Sequence, residues 1–342
     1  MIKKTWAFAA AAALIAAPAA AQNDIESVCT TNVPVLAVEQ CTIVAQAVDA
    51  AQPQLGILMA GGNPTLGTAS TGGVRLGLIP RVSLTGRVNV VGARLPDIRQ
   101  EADGRADKFT VPAPAVGANL SIGVTQGFSV APMIGGFGAI DLLGSVSMLP
   151  LSLLGDDFGD NAFSWGAGAR VGLIRESFVT PGVSVSLMYR SLGDVRFGEV
   201  CPGTEVPSGE NRTICSTDGD FGEIEFGLDN WSARAAASKR LLGLGLTAGV
   251  GYDRFDTSAD FAVRAPGPPA GVEQVYRFND VAVDNDRWSA FLNASFTLLI
   301  GSVVGEVGWM QGSNPITGFP STSDFDPRDG TFFGSLGARL SL

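Results

Sequence analysis

Residues 81–91, RVSLTGRVNVV, alternate without a break. In an extended chain Val82, Leu84, Gly86, Val88 and Val90 share one face, while Ser83, Thr85, Arg87, Asn89 and Val91 share the other. A two-residue period with one apolar face predicts a half-buried strand. The period returns along the chain. It sets Val116, Ala118, Leu120, Ile122 and Val124 opposite Asn119, Ser121 and Thr125, and Phe163, Trp165, Ala167, Ala169, Val171 and Leu173 opposite Ser164 and Arg170. Val183, Val185, Leu187 and Tyr189 oppose Ser184, Ser186 and Arg190; Trp231, Ala233, Ala235 and Ala237 oppose Ser232, Arg234 and Ser238. Leu246, Ala248, Val250 and Tyr252 oppose Thr247 and glycines. Asn293 and Glu306 fall on the polar side of the next two segments. The last segment sets Leu336, Ala338, Leu340 and Leu342 against Ser335, Arg339 and Ser341.

Residues 22–60 follow a different rule. Ile43, Ala47 and Ala50, with Val44, Val48 and Ala51 beside them, carry helical spacing. They predict one helix over about 35–51, stopped near Pro53. The stretch GGNPTLGTASTGG, 61–73, reads as a flexible crossing segment, after which Val74, Leu76 and Leu78 resume the alternation.

The connections sort by parity. Short ones fall near 125–128, 175–182, 239–242 and 300–302, and long ones near 92–113, 149–162, 199–229, 257–286 and 312–330. Barrels that cross an outer membrane have short periplasmic turns and long external loops, whereas a soluble sandwich has no reason to sort its loops. This bookkeeping gives ten strands; the long loops can hide further hairpins, for example 258–264 with 273–283, so ten to fourteen strands are allowed.

The apolar faces therefore meet either a core or lipid. Lys108 and Lys239 are the only lysines after the leader, and the polar faces carry Gly, Ser, Thr and Asn with isolated arginines. That suits an enclosed lumen, with hydrocarbon against the apolar faces. Lipid cannot satisfy an open strand edge, so the sheet must close. Trp165, Tyr189, Trp231, Tyr252, Trp288 and Trp309 lie near strand ends, as an interfacial girdle requires. The most apolar later run, 128–154, is broken by Pro132, Pro150 and four glycines and predicts no spanning helix. The fold class read here is all-β: a closed antiparallel up-and-down transmembrane β-barrel of ten to fourteen strands over 73–342. A short helical segment, 22–72, precedes it as a plug or a periplasmic element.

The N-terminus sets the compartment. Lys3 and Lys4, the apolar run Trp6–Ala17 and the small residues Ala19–Ala21 form a secretory signal peptide over 1–21. Its removal with two lysines takes the formal charge from −10 to −12, which excludes nucleic acid as a partner. The mean hydropathy of +0.25 is high for a water-soluble chain of that charge. An exported chain can oxidise its cysteines, and Cys29/Cys41 and Cys201/Cys215 are expected to pair. Their spacing lacks the short C-x₂-C of a zinc site.

The chain holds no histidine, so a Ser-His-Asp hydrolase cannot be built. No spaced carboxylate pair stands out, and no enzyme, cofactor or metal is predicted. Two acidic runs, Asp156, Asp157 and Asp160, and Asp324, Asp326 and Asp329, read as solvated turns rather than calcium loops. The candidate lumen-facing residues are Arg87, Asn89, Asn119, Arg170, Arg190, Arg234, Asn293, Glu306 and Arg339. They either bias a passage towards anions or form a polar network that fills a narrow barrel.

The export signal, the dyad strands of 73–342 and the terminal GARLSL strand together resemble the bacterial outer-membrane β-barrels, although the chain ends in Leu342 where that family commonly places an aromatic. The plug-like N-terminal segment and NPT at 63–65 resemble the long-chain fatty-acid transport barrels. The resemblance implies an outer-membrane location, insertion by the barrel-assembly machinery, and contact with outer-membrane lipid and lipopolysaccharide. The expected function is passive passage of a small or hydrophobic solute. The alternative is a non-conducting barrel with a structural or surface-binding role through its external loops.

Overall fold

The structure is a computed structural model. It describes residues 24–31, 33–75, 79–129, 135–153, 161–202, 212–213, 219–267, 272–298, 300–321 and 323–341. The expected signal peptide, the run from Asp156 to Asp160, and Cys215 lie outside the described residues.

Ten long strands form one sheet: β1 (Val82–Pro96), β2 (Lys108–Gly123), β3 (Ala139–Leu149), β4 (Ala162–Ile174), β5 (Gly182–Phe197), β6 (Gly222–Leu241), β7 (Leu244–Gly267), β8 (Val272–Leu298), β9 (Gly301–Met310) and β10 (Thr331–Ser341). Each pairs antiparallel with its sequence neighbours, and β10 pairs with β1 from Phe333↔Val91 to Ser341↔Ser83. The sheet has no free edge and is a closed up-and-down barrel. The dyad period is the cause: each register step keeps one set of side chains inside and the other outside.

The two faces answer the lipid question. Leu84, Val88, Val116, Leu142, Leu246, Leu292, Val307 and Leu336 stand exposed on the outer wall, while Thr85, Arg87, Asn89, Arg170, Arg234 and Glu306 are buried inside. A barrel in water would invert this arrangement, since exposed Leu in a continuous band has no aqueous rationale. Near the long-connection end, Trp165 packs on Tyr189 and Tyr189 on Trp231, with ring centroids 5.7 and 5.2 Å apart, and Tyr252 packs on Trp288 at 5.1 Å. Trp309 stands opposite Phe332 in the ladder. These aromatics form the girdle expected at a membrane–water boundary.

The short turns after Leu241 and Leu298 lie at one end with 175–181; the longer connections after Pro96, Leu149, Phe197 and Met310 leave from the other. By the loop rule the first end is periplasmic and the second external. Two details depart from the sequence expectation. The 124–138 connection is at the periplasmic end yet is not short, and carries a Phe128↔Phe137 bridge. The 258–264 and 273–283 segments are not a separate hairpin. They continue β7 and β8, with a register shift between Ala259 and Phe261, so the count is ten. These strands have 24 and 27 residues, where about 10 suffice to cross a bilayer, so the hairpin stands well clear of the membrane.

The inner face changes character along its length. On β1 the inward residues run Ser83, Thr85, Arg87, Asn89, then Val91, Ala93, Leu95; on β6 they run Ser238, Arg234, Ser232, Asn230, then Leu228, Phe226, Ile224. The periplasmic half of the lumen is polar and the external half apolar. The N-terminal segment matches this division. Helix α1 (Asp24–Thr31) and helix α2 (Val38–Ala60) come first. The Cys29–Cys41 disulfide ties α1 to the first turn of α2. Cys201 is also disulfide-bonded. Helix α2 is buried on all sides inside the barrel, as a helix without a polar face must be. Its first half packs against Leu95, Ile98, Ile224, Phe261 and Phe325 at the external end. Residues 61–73 then run through the polar half to the periplasmic end. Residues 38–73 thus lie inside the lumen.

Helix α2 does not stop at Pro53 as the sequence suggests; it continues to Ala60. A proline removes the hydrogen bond to the carbonyl four residues back. That carbonyl belongs to Asp49, and Asn285 of β8 donates its Nδ2 to it at 3.4 Å, while Gln52 Nε2 donates to Val283 O at 3.0 Å. The wall supplies the partner that the proline cannot.

Candidate functional site: the plugged lumen

The C-terminus of α2 is held by two β1 side chains. Asn89 donates its Nδ2 to Leu58 O at 2.7 Å, and Arg87 donates Nη1 to Ala60 O at 3.3 Å and to Asn63 O at 3.1 Å. A helix leaves its last carbonyls without partners and carries a partial negative charge there, so a guanidinium is well placed. Arg87 is itself fixed by Nη2 to Glu306 Oε1 at 3.0 Å, by Nη2 to Ser335 Oγ at 2.8 Å and by Nε to Asn89 Oδ1 at 2.8 Å. Glu306, wholly buried, then accepts the N–H of Gly62 at 2.9 Å, the N–H of Asn63 at 2.8 Å and Asn293 Nδ2 at 2.7 Å.

The same arrangement repeats down the segment. Asn293 Oδ1 accepts Asn63 Nδ2 at 2.9 Å and the Gly67 N–H at 3.1 Å. Asn119 donates to Pro64 O at 2.9 Å, Arg234 to Gly62 O at 2.9 Å, and Arg339 to Leu66 O at 3.1 Å. Arg170 bonds Thr65 and pairs with Asp141, whose carboxylate accepts the N–H groups of Gly72 and Gly73. Segment 61–73, which reads as flexible in the sequence, is thus gripped residue by residue from β1, β2, β3, β4, β6, β8, β9 and β10. Its glycines allow this: Gly61 has φ +60° and a Cβ there would meet the Arg87 guanidinium, and a Cβ on Gly56 of α2 would sit 2.1 Å from the Phe255 ring.

Eight of the nine candidate lumen residues touch the plug or a residue that holds it. Arg190 does not. It donates to Ser232 Oγ at 2.8 Å and meets no carboxylate at ion-pair distance among the described residues. Sequence reasoning missed Asp141 and Asp253. Asp141 had a signal, as the only charge in the apolar run 128–154. Asp253 holds Arg234 at 2.8 Å and shows itself only through the register of β6 with β7. Of the acidic runs, Asp324 pairs with Arg105 and Asp326 accepts the Arg328 N–H at 3.0 Å.

Cavities remain inside. One, of about 50 Å³, lies between α2 and the external half of the wall. Ala51, Leu55 and Leu58 form its helix side, and Val91, Ala113, Leu151, Val195, Phe197 and Phe226 its wall side. It sits where the wall is notched. β3 and β4 end at Leu149 and Ala162, while β2 and β5 continue beyond them and meet through the stacked Phe109 and Phe197 rings, 5.6 Å apart. Another, of about 210 Å³, opens at the periplasmic end among Arg81, Arg170, Arg240 and Arg339.

No family model matches the chain, and no curated protein matches it. Among solved structures, the translocator domain of autotransporter NalP from Neisseria meningitidis aligns over 87% of this chain and 99% of its own, with 13% identity and TM-score 0.39. Outer membrane protease OmpT from Escherichia coli aligns over 77% and 96%, with 12% identity and TM-score 0.34. The Pseudomonas putida toluene transporter TodX aligns over 83% and 96%, with 10% identity and TM-score 0.26. The closed ten-strand ladder and the lipid-facing outer wall of this chain define it as an outer-membrane β-barrel.

Proposed function

We propose that the protein is a gated barrel for small apolar solutes, held closed by its own N-terminal segment. The observation that supports this is the apolar cavity beside α2. Of the fourteen described residues that line it only Gln54 is polar, although it lies inside a barrel whose other half is lined by charged and hydroxyl groups. An empty apolar space of this kind stays dry and accepts apolar ligands. The plug contacts support a closed resting state, in which conduction requires displacement of residues 61–73.

Uptake of N-phenylnaphthylamine, which fluoresces on reaching an apolar phase, tests the reading in cells that carry the protein in their outer membrane. Cells with the native chain take the dye up faster than cells with Ala113→Trp, which fills the cavity. Equal rates at equal barrel abundance overturn it. A second reading, a non-conducting barrel that acts through its external elements, is favoured by the density of plug contacts and by the β7–β8 hairpin beyond the girdle. Planar-bilayer recordings separate the two: silence with and without residues 24–73 supports the second.

A further inference from the structure

The periplasmic cavity has a charge pattern that neither plug anchoring nor solute passage explains. Among the described residues four guanidinium groups line it and no carboxylate side chain does, in a chain whose formal charge is −10. Two of the four are compensated from behind: Arg170 by Asp141, and Arg240 by Glu176 at 3.8 Å. Arg339 is not. It is 8% exposed, spends one Nη1 bond on Leu66 O, and its Nε has no partner among the described residues. Arg81, exposed on the rim, has no ion pair among the described residues either. A buried, uncompensated guanidinium aimed into a polar cavity is costly unless an anion meets it.

The remaining lining completes a cradle. Ser83, Thr85, Ser121 and Thr68 bring hydroxyl groups, Asn119 brings an amide, and the plug backbone at Gly72 closes one side. The volume of about 210 Å³ exceeds several waters at about 30 Å³ each, enough for a tetrahedral oxyanion with part of its shell. Guanidinium groups match such oxygens bidentately, and hydroxyls extend the set.

We propose that this cavity is a binding site for a phosphate-class oxyanion, with Arg339 and Arg81 as its primary charged ligands. The anion bridges β10 and the segment before β1, across the plug residues 64–72. Both a soluble phosphate and a phospholipid headgroup carry this chemistry.

The test uses the full chain in a maltoside detergent at constant ionic strength. Binding of inorganic phosphate and of dihexanoyl phosphatidic acid is measured by equilibrium dialysis, each alone and in competition. The expected result is saturable binding of at least one probe with one site per chain. Arg339→Gln and Arg81→Gln each weaken it at least tenfold, whereas Arg105→Gln, on an external connection, leaves it unchanged. The probe that binds more tightly identifies the source. Heat-modifiable gel migration certifies that each variant is folded, and the exposed Arg81 keeps the test decisive if Arg339→Gln does not assemble. Absence of saturable binding by either probe, or equal binding by the Arg81→Gln and Arg105→Gln proteins, overturns the proposal.

Discussion

Glu306 and Arg87 stand two strands apart, on β9 and β1, and meet at 3.0 Å in the middle of the lumen with both side chains sealed from solvent. Each also holds plug backbone, so the pair is a joint between wall and plug. Breaking a buried pair by removing one charge costs about 3–5 kcal/mol, because the other is left uncompensated. Glu306→Gln is expected to lose that much in urea unfolding and to speed hydrogen exchange at Gly62 and Asn63. The double variant Arg87→Met with Glu306→Gln should cost less than the sum of the two singles.

Neighbouring residues on β1 face different solvents. Val88→Arg places a charge against hydrocarbon and should cost about 2–4 kcal/mol near the bilayer midplane, measured by folding into lipid vesicles. Asn89, one residue along, looks replaceable by Ser from the sequence alone. In the structure its Nδ2 holds Leu58 O at 2.7 Å, so Asn89→Ser should cost about 1–3 kcal/mol for the carbonyl left unpaired.

Gly56 gives Phe255 its place. Any Cβ at position 56 falls on a ring that is fully buried. Gly56→Leu should cost about 1–3 kcal/mol or displace α2, seen as faster proteolysis of the plug. Pairing Gly56→Ala with Phe255→Leu should recover part of the loss in thermal unfolding.

The external connection after β1 carries a pH dependence of known sign. Burial pushes the Asp97 carboxyl up, but hydrogen bonds from the Arg99 side chain and N–H, and the Arg99 charge, outweigh it and leave the group below the usual carboxylate range. A depressed carboxyl stabilises above its unfolded value and loses that contribution as pH falls through the folded one. Exchange at the Arg99 N–H should stay slow at pH 5 and rise only below about pH 4, near the ordinary Asp value. The dependence should vanish in Asp97→Asn.

The barrel wall was legible because lipid on one face and lumen on the other impose a period of two along every spanning strand, and loop parity and scarce lysine separate this from a soluble sheet. Leu84, Val116, Leu246 and Leu336 sit where alternation puts them. The continuation of α2 past Pro53 was not legible, since the compensating donor, Asn285, lies more than two hundred residues away. The pairing of 258–264 with 273–283 was legible as a hairpin but not as the continuation of β7 and β8, because external strands need not alternate by polarity: Phe261 and Phe278 face each other across it, stacked at 4.8 Å. The grip on 61–73 was hidden for a related reason. Its own Gly, Thr and Ser look mobile, and the order is supplied by Glu306, Asn293 and Asp141 from distant strands.

The route of the plug constrains the order of assembly. Helix α2 begins at the external end, yet the chain must emerge at the periplasmic end to start β1 at Val82. A finished cylinder would have to be threaded by α1 and its cross-linked loop. Stitching the β1–β10 seam around a segment already in position avoids that passage. The N-terminal segment would then be enclosed as the seam closes, in a bore whose width is set by the ten strands and their stagger.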